Sequence, residues 1–268
     1  MMIFRPTDYA PAILFLRRKP IHNRHLVAFL QRAQPGELEV YVDDPAQPRA
    51  VMLRSDQLQG KDRRRDVDID ADNEESFRTL IGTLRGRSYF FTFHRQWMIP
   101  LLWERYEKVS LARSFYMKVT PADFVNGADR RLAENIREIR LADAKAVAAF
   151  PEGEPSLSKA FGYTAAKWRD GERALRLLGM FEAGQIAAWV QFWMGSGMCE
   201  VMNIRTHPDH CRKGYAKGLL SVALIAIFKN HEDAFFSTGD DNRASIALSR
   251  SVGFRRHSCT YYFTGEKR

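Results

Sequence analysis

The 268-residue chain has little cysteine and no long hydrophobic run. Its three cysteines, Cys199, Cys211 and Cys259, are too few for a disulfide framework, and no cysteine or histidine pair has zinc-ligand spacing. Its apolar stretches fall short of the ~20 residues that a membrane-spanning helix needs. The first residues also lack a charged segment followed by an apolar one. We therefore expect a cytoplasmic protein with no structural metal and no membrane insertion.

The net charge of +9 raises the question of a nucleic-acid partner. Basic and acidic residues are mixed in both halves of the chain, and neither half forms a basic arm. This distribution is typical of a solvated surface and argues against a track for phosphates. We expect no nucleic-acid binding, although a moderately positive surface suits a small polyanionic ligand.

A change in composition near Thr120 divides the chain. Up to that point the sequence is rich in aromatic residues and alternates between helix-like and strand-like patterns. Three residues that disfavour helices and strands then follow, at Pro121, Asn126 and Gly127. The sequence predicts an N-terminal α/β domain over residues 1–120, a linker over 121–134 and a second domain over 135–268.

The most informative segment lies in the second domain, where a strand ends at Thr206 and a basic turn opens into a helix. Backbone N–H groups at a helix start are unpaired, and the helix dipole adds partial positive charge there. Arg212 and Lys213 lie in the same turn, while Gly214 and Ala216 permit close approach to the backbone. The segment therefore predicts an anion site of a size that fits a diphosphate.

This segment resembles the acyl-CoA-binding signature of the GNAT acyltransferase superfamily, Arg/Gln-x-x-Gly-x-Gly/Ala after a strand and a proline. Cys211 stands where the family has Arg or Gln, so the first position departs from the signature. The rest of the family pattern follows in order and spacing. The matching residues are Pro208, Gly214, Ala216, Asn242, Ser245, Gly253 and Phe254.

The resemblance implies an α/β (α+β) protein whose second domain has a mixed, mostly antiparallel sheet flanked by helices. The order of elements in the N-terminal domain is compatible with a degenerate copy of the same fold. The resemblance also implies acetyl-CoA as the acyl donor and an amine as the acceptor. The residues that would bind the donor are Ile204, Arg205, Thr206, Cys211, Arg212, Lys213, Gly214, Tyr215, Ala216, Lys217, Asn242 and Ser245.

Two residues are predicted to take part in catalysis. Glu200 lies six residues before Thr206, and the period-two geometry of a strand places both on one face with Met202 and Ile204. By resemblance it is the general base, and the alternative is a glutamate that reaches solvent or pairs with an arginine. Ser249 occupies the position of the family's acidic tyrosine, although a serine hydroxyl is the weaker acid and a CoA thiolate can leave unprotonated.

Two functions follow from these residues. The first is an acyl-CoA-dependent N-acyltransferase that transfers acetyl to a primary amine by direct attack in a ternary complex. The second is a non-catalytic acyl-CoA sensor or interaction protein, because Cys211 and Ser249 both depart from the family pattern. The sequence names neither the amine nor the oligomeric state.

Overall fold

The computed structural model describes residues 3–32, 39–55, 65–153, 155–172, 174–195 and 198–268. The chain divides into two compact units. Unit 1 contains residues 1–114 and 258–268, and unit 2 contains residues 115–257.

Within the described ranges, the α-helices are α1 (Ala10–Leu16), α2 (Pro20–Arg32), α3 (Glu74–Ile81), α4 (Met98–Arg105), α5 (Arg130–Glu134), α6 (Ala144–Ala149), α7 (Leu157–Arg169), α8 (Tyr215–Ile227) and α9 (Arg243–Ser251). The strands are β1 (Glu39–Val42), β2 (Ala50–Ser55), β3 (Arg65–Ala71), β4 (Ser88–Phe93), β5 (Tyr106–Val119), β6 (Ile136–Glu138), β7 (Leu175–Glu182), β8 (Gln185–Gly195), β9 (Met198–Thr206), β10 (Ala234–Gly239) and β11 (Arg255–Lys267). Two 3-10 turns cover Leu141–Asp143 and Pro208–His210.

Unit 1 has the strand order β1-β2-β3-β4-β11-β5. Strand β2 is antiparallel to β1 and to β3, whereas β3 is parallel to β4. The parallel pair is connected through α3, whose buried face includes Phe77 and Leu80. These side chains pack with Phe91 and Phe93 of β4 in a core rich in aromatic rings. Burial of these large apolar surfaces stabilises unit 1.

Unit 2 has the strand order β5-β10-β9-β8-β7-β6. The pairs from β6 to β9 are antiparallel, and β9 is parallel to β10. One core cluster packs α8 against the sheet and includes Val190 and Val201. A second cluster packs α6 and α7 around the fully buried Trp189. The sheet of unit 2 is therefore covered by helices on both faces, as the mixed fold predicted from the sequence requires.

Helix α8 follows the basic turn after β9 and is unusually apolar. Seven of its residues are buried, so nearly one whole side of the helix is covered. The sequence predicted this helix from Ala216 to Lys229, and the structure places it from Tyr215 to Ile227. Packing of this kind fixes the helix N-terminus firmly at the end of β9.

The compact units have other limits than the domains 1–120, 121–134 and 135–268, which remain a prediction. Strand β11 continues beyond residue 257, and its part from Tyr261 to Glu266 pairs with β4 in unit 1. Strand β5 enters unit 2 at Phe115, before the predicted boundary. Both differences arise from strand pairing between residues far apart in sequence, which a local change in composition does not report.

No helix among the described residues is both long and apolar enough to cross a bilayer. In the same parts of the chain, no group of three or more His, Cys, Asp or Glu side chains is arranged to hold a metal ion.

Candidate active site

The chain between β9 and α8 adopts a turn with two left-handed residues. Arg212 has φ +63° and Gly214, the residue before α8, has φ +81°. Alternation between right- and left-handed backbone directs successive N–H groups to one side and makes an anion-binding concavity. A Cβ added at Gly214 would have only Leu132 nearby, with its Cδ1 3.9 Å away, so the turn is open. The geometry thus suits the diphosphate that the sequence predicted here.

A carboxylate of unit 2 contacts the basic side of this turn. Glu182 Oε2 accepts a hydrogen bond of 2.9 Å from the Tyr215 hydroxyl and lies 2.8 Å from His210 Nδ1. It is also 3.7 Å from Lys213 Nζ. The bond from Tyr215, followed by the charges of Lys213 and His210, lowers the pKa of the Glu182 carboxyl, so the group is ionised at neutral pH. Burial and the bond to Glu182 raise the pKa of Tyr215. Lys213 and Tyr215, which are both predicted to bind the acyl donor, therefore contact the Glu182 carboxylate.

The other predicted residues of the turn have different surroundings. Cys211 is exposed, and its thiol lies 3.6 Å from the His207 carbonyl oxygen. Arg212 is exposed, whereas Ala216 and Lys217 are half-buried in the first turn of α8. The aliphatic chain of Lys217 lies where a Cβ of Gly127 would be. Arg212 and Lys213 are both exposed, but Lys213 Nζ lies 3.7 Å from the Glu182 carboxylate.

Strand β9 contains a bulge that the sequence did not reveal. Residue Asn203 pairs with Gln191 and Val201 pairs with Phe192, so Met202 has no partner on β8. An extra residue reverses the alternation of side chains beyond it. Glu200 pairs with Trp193 and shares the face of Gln191 and Asn203.

The expectation that Glu200 shares a face with Met202, Ile204 and Thr206 is therefore wrong. Ile204 lies beyond the bulge, and it packs with the core under α8. Thr206 pairs with Ala188, which belongs to that same core. The physical reason is the bulge, because the period-two rule holds only for a regular strand.

Arg205 faces the α6–α7 side of the sheet. Its guanidinium donates to the carbonyl oxygens of Pro151, Glu152 and Pro155, at 3.0 to 3.4 Å. The side chain therefore holds the loop between α6 and α7. Any contact of Arg205 with the acyl donor would have to come from its backbone.

Glu200 is a buried carboxylate, 7% exposed, in the middle of unit 2. Its Oε1 accepts a hydrogen bond of 2.9 Å from the hydroxyl of Tyr116 on β5, which is also buried. The Tyr116 ring lies 6.1 Å from Phe235, the residue of β10 that pairs with Glu200. Sequence reasoning missed Tyr116. The signal that could have found it is the alternation of apolar residues on β5, which marks a strand leading to Val119.

The predicted residues on α9 are joined by a helix cap. Asn242 Oδ1 accepts a hydrogen bond of 3.0 Å from the Ser245 backbone N–H, so Asn242 is the N-cap of α9. Ser249 is fully buried, and its hydroxyl donates to the Ile246 carbonyl oxygen at 3.0 Å. The Ser249 proton is thus held within its own helix, and this geometry does not support the predicted role as an acid.

Residues 135–254 match the model of the acetyltransferase (GNAT) family. This part of the chain is therefore similar to the GNAT acetyltransferase family. The comparison with curated proteins finds no significant match.

Solved structures resemble the chain over nearly its whole length. A GCN5-related N-acetyltransferase from Sphaerobacter thermophilus has a TM-score of 0.67 at 11% identity, covering 98% of this chain and 95% of that one. A GNAT-family acetyltransferase from Colwellia psychrerythraea has a TM-score of 0.64 at 11% identity and covers 99% and 100%. A tandem GNAT protein from the clavulanic acid biosynthesis pathway has a TM-score of 0.63 at 13% identity and covers 96% and 93%. At these identities the likeness establishes the fold.

Proposed function

We propose that the protein is an N-acyltransferase that moves acetyl from acetyl-CoA to a primary amine. The observation that carries the proposal is the open turn at the start of α8, with left-handed Arg212 and Gly214, within the residues that match the GNAT family model. A helix N-terminus with unpaired N–H groups attracts an anion, and Gly214 lets a diphosphate approach the backbone.

The chain's residues fit the acyl donor at this turn. Arg212 is exposed and can reach a phosphate, while Lys213 can do so if it leaves Glu182. When bound, acetyl-CoA supplies an activated acetyl thioester. By family resemblance, backbone N–H groups between Ile204 and Thr206 polarise the thioester carbonyl, and such donors stabilise the developing oxyanion.

Glu200 is the residue that we propose as the general base. Its carboxylate is buried, and the Tyr116 hydroxyl holds one of its oxygens. A protonated amine would give a proton to Glu200, directly or through a water, and its nitrogen would then attack the thioester carbonyl carbon. The carbon–sulfur bond breaks and CoA leaves as a thiolate. Ser249 is given no part in this step because its hydroxyl proton is bound to Ile246.

Thiol release tests the proposal. Purified protein with acetyl-CoA and a panel of primary amines should release free CoA thiol only when a suitable amine is present. Mass spectrometry should then find the acetylated amine. Acetyl-CoA binding without thiol release for any amine would instead favour the non-catalytic acyl-CoA sensor.

A further inference from the structure

A chain of hydrogen bonds runs from α7 to β9 on the Glu200 face of the unit 2 sheet. The Thr164 hydroxyl donates to the Ala160 carbonyl oxygen at 2.7 Å. Its oxygen accepts from Gln191 Nε2 at 2.9 Å, and the same Nε2 donates to Ala160 at 3.3 Å. Gln191 is only 2% exposed. Because Nε2 serves both acceptors on α7, the Gln191 amide is held in one orientation, with Oε1 toward β9.

Asn203, the first residue after the bulge, ends this chain. Its Nδ2 donates to Gln191 Oε1 at 2.7 Å. Rotation of the Asn203 amide would place one oxygen against another, so Oδ1 is kept turned away from Gln191. Asn203 is half-buried, and its Oδ1 receives no hydrogen bond from the part of the chain that the structure describes. The fold thus presents an oriented acceptor oxygen beside the bulge.

Glu200 lies next to Asn203 on this face. The pairs Trp193–Glu200 and Gln191–Asn203 are adjacent on the same side of the sheet, which corresponds to a spacing of ~7 Å along the strand. An amide oxygen and a carboxylate both accept hydrogen bonds and donate none. Their complement is a group with several N–H donors, such as a protonated primary amine, whose positive charge strengthens each bond.

We propose that Asn203 binds the acceptor and helps to determine its class. Its Oδ1 accepts one N–H of a primary ammonium group whose nitrogen also faces Glu200. Gln191 and Thr164 are positioning residues, because they orient the Asn203 amide and do not touch the ligand. This inference rests on the proposed function and narrows its acceptor to amines that bind as cations.

The reaction step is consistent with this placement. Asn203 holds one N–H, Glu200 takes a second hydrogen as a proton, and the lone pair released on nitrogen attacks the thioester carbon. The carbon–nitrogen bond forms, the carbon–sulfur bond breaks, and the sulfur leaves with the bonding pair. The nitrogen then loses one more proton, which neutralises the thiolate, and the amide product keeps a single N–H.

The test measures amine binding without turnover. Saturation-transfer NMR on protein saturated with CoA would use hexylamine, lysine and spermidine as probes, with hexanoate as the anionic control. Asn203→Leu should weaken binding of the amines that bind wild type by about 10- to 100-fold, the effect of losing a hydrogen bond to a charged donor. Thr164→Val should have a smaller effect in the same direction, because Gln191 keeps its bond to Ala160. Met202→Leu, at the adjacent exposed bulge, is the matched control and should change nothing.

The outcomes separate this inference from the proposed function. Equal amine affinity in wild type and Asn203→Leu, or no amine binding to wild type, would overturn the inference. Thiol release with an unchanged KM for the amine in Asn203→Leu would overturn the inference and leave the function. Amine binding that depends on Asn203, with no thiol release by wild type, would support the inference and overturn the proposed function. Acetyl-CoA affinity should stay unchanged in Asn203→Leu, although the variant should lose about 1–3 kcal/mol of stability because the buried Gln191 Oε1 loses its donor. Asn203→Ser replaces the leucine variant if that variant does not fold.

Discussion

The turns that follow β3 in unit 1 and β9 in unit 2 differ sharply although the strands are equivalent. Each strand is antiparallel to the strand before it and parallel to the strand after it. After β3, Asn73 caps α3 by accepting from the Ser76 N–H at 2.8 Å, and Glu74 and Glu75 occupy the first helical turn. The Asn73 side chain takes up a helix N–H that would otherwise be unpaired, and the two glutamates repel an anion.

The turn after β9 has the opposite character. Gly214 precedes α8 with no side-chain cap, and the first turn of the helix has no acidic residue. The helix N–H groups are thus left for a ligand, with Arg212 beside them. A few residues at a helix start thus decide whether the helix N–H groups are capped or left open toward an anion, while the strand pairing around the turn stays the same.

The largest effect should come from the residue that keeps the unit 2 turn open. Gly214→Val should raise the Kd for acetyl-CoA by more than about 100-fold, because a β-branched residue strains at φ +81° and blocks the approach to the backbone. Gly171→Val is the matched control, since Gly171 has φ +82° and equally open surroundings at the end of α7. Calorimetry should find normal affinity in the control. Equal losses in both variants would attribute the effect to backbone strain alone.

The second prediction compares the Glu200 carboxylate on β9 with the Asp68 carboxylate on β3. Glu200→Gln should lower turnover by about 10²–10⁴-fold, the usual contribution of a positioned base, and leave the KM for acetyl-CoA unchanged. Asp68→Asn on β3 removes a half-buried carboxylate of unit 1 and should leave turnover unchanged. Initial rates of thiol release measure both. Turnover of Glu200→Gln within about twofold of wild type would show that solvent, and not Glu200, removes the proton from the amine.

Much of the unit 2 turn could be predicted because its signal is local. A glycine, two cations and an apolar helix lie within a few residues of one another. The bulge at Met202 is different, since an unpaired residue depends on how β8 and β9 pair and no residue type marks it. The assignment of Glu200 to the wrong face follows directly from this. Likewise, Tyr116 reaches Glu200 only because β5 enters the sheet of unit 2, a pairing across 84 positions of sequence.

The third prediction concerns pH and unit 1. Burial lowers the pKa of His94 from 6.5 to about 4, so its contribution to stability is full above pH 6.5 and is lost as pH falls toward 4. Burial and the charge of Asp66 raise the pKa of Asp68 from 3.8 to about 6, so its contribution is full below pH 3.8 and is lost as pH rises toward 6. Each contribution is on the order of 3 kcal/mol, and they have opposite slopes.

Single variants should therefore separate the two slopes. In Asp68→Asn the unfolding free energy should rise between pH 4 and 6.5, because only the His94 slope remains. In His94→Gln it should fall between pH 4 and 6. Urea unfolding at several pH values measures both. Parallel profiles in wild type and both variants would contradict these titrations.

The fourth prediction compares the two asparagine caps. Asn242→Ala and Asn73→Ala should each cost about 1 kcal/mol of stability, because each leaves a helix N–H without its side-chain acceptor. If Asn242 also contacts the acyl donor, only Asn242→Ala should raise the KM for acetyl-CoA, by about 2- to 10-fold. Thermal unfolding and steady-state kinetics separate the roles. An unchanged KM in Asn242→Ala would leave the residue with a capping role alone.

The smallest effect should come from the carboxylate beside the unit 2 turn. Glu182→Gln removes a charge that binds Lys213 and lies beside the predicted diphosphate, so acetyl-CoA should bind more tightly by about two- to fivefold, the range of an exposed ion pair. The gain should shrink at high salt, because exposed charges are screened. Glu104→Gln makes the same change of net charge and breaks an exposed pair with Arg78 in unit 1. Tighter binding in Glu182→Gln alone, measured by calorimetry at two salt concentrations, would place the phosphates next to Lys213. Equal changes in both variants would show that only the net charge of the protein matters. Lys213 would then make no specific contribution to acetyl-CoA binding at the basic turn after β9.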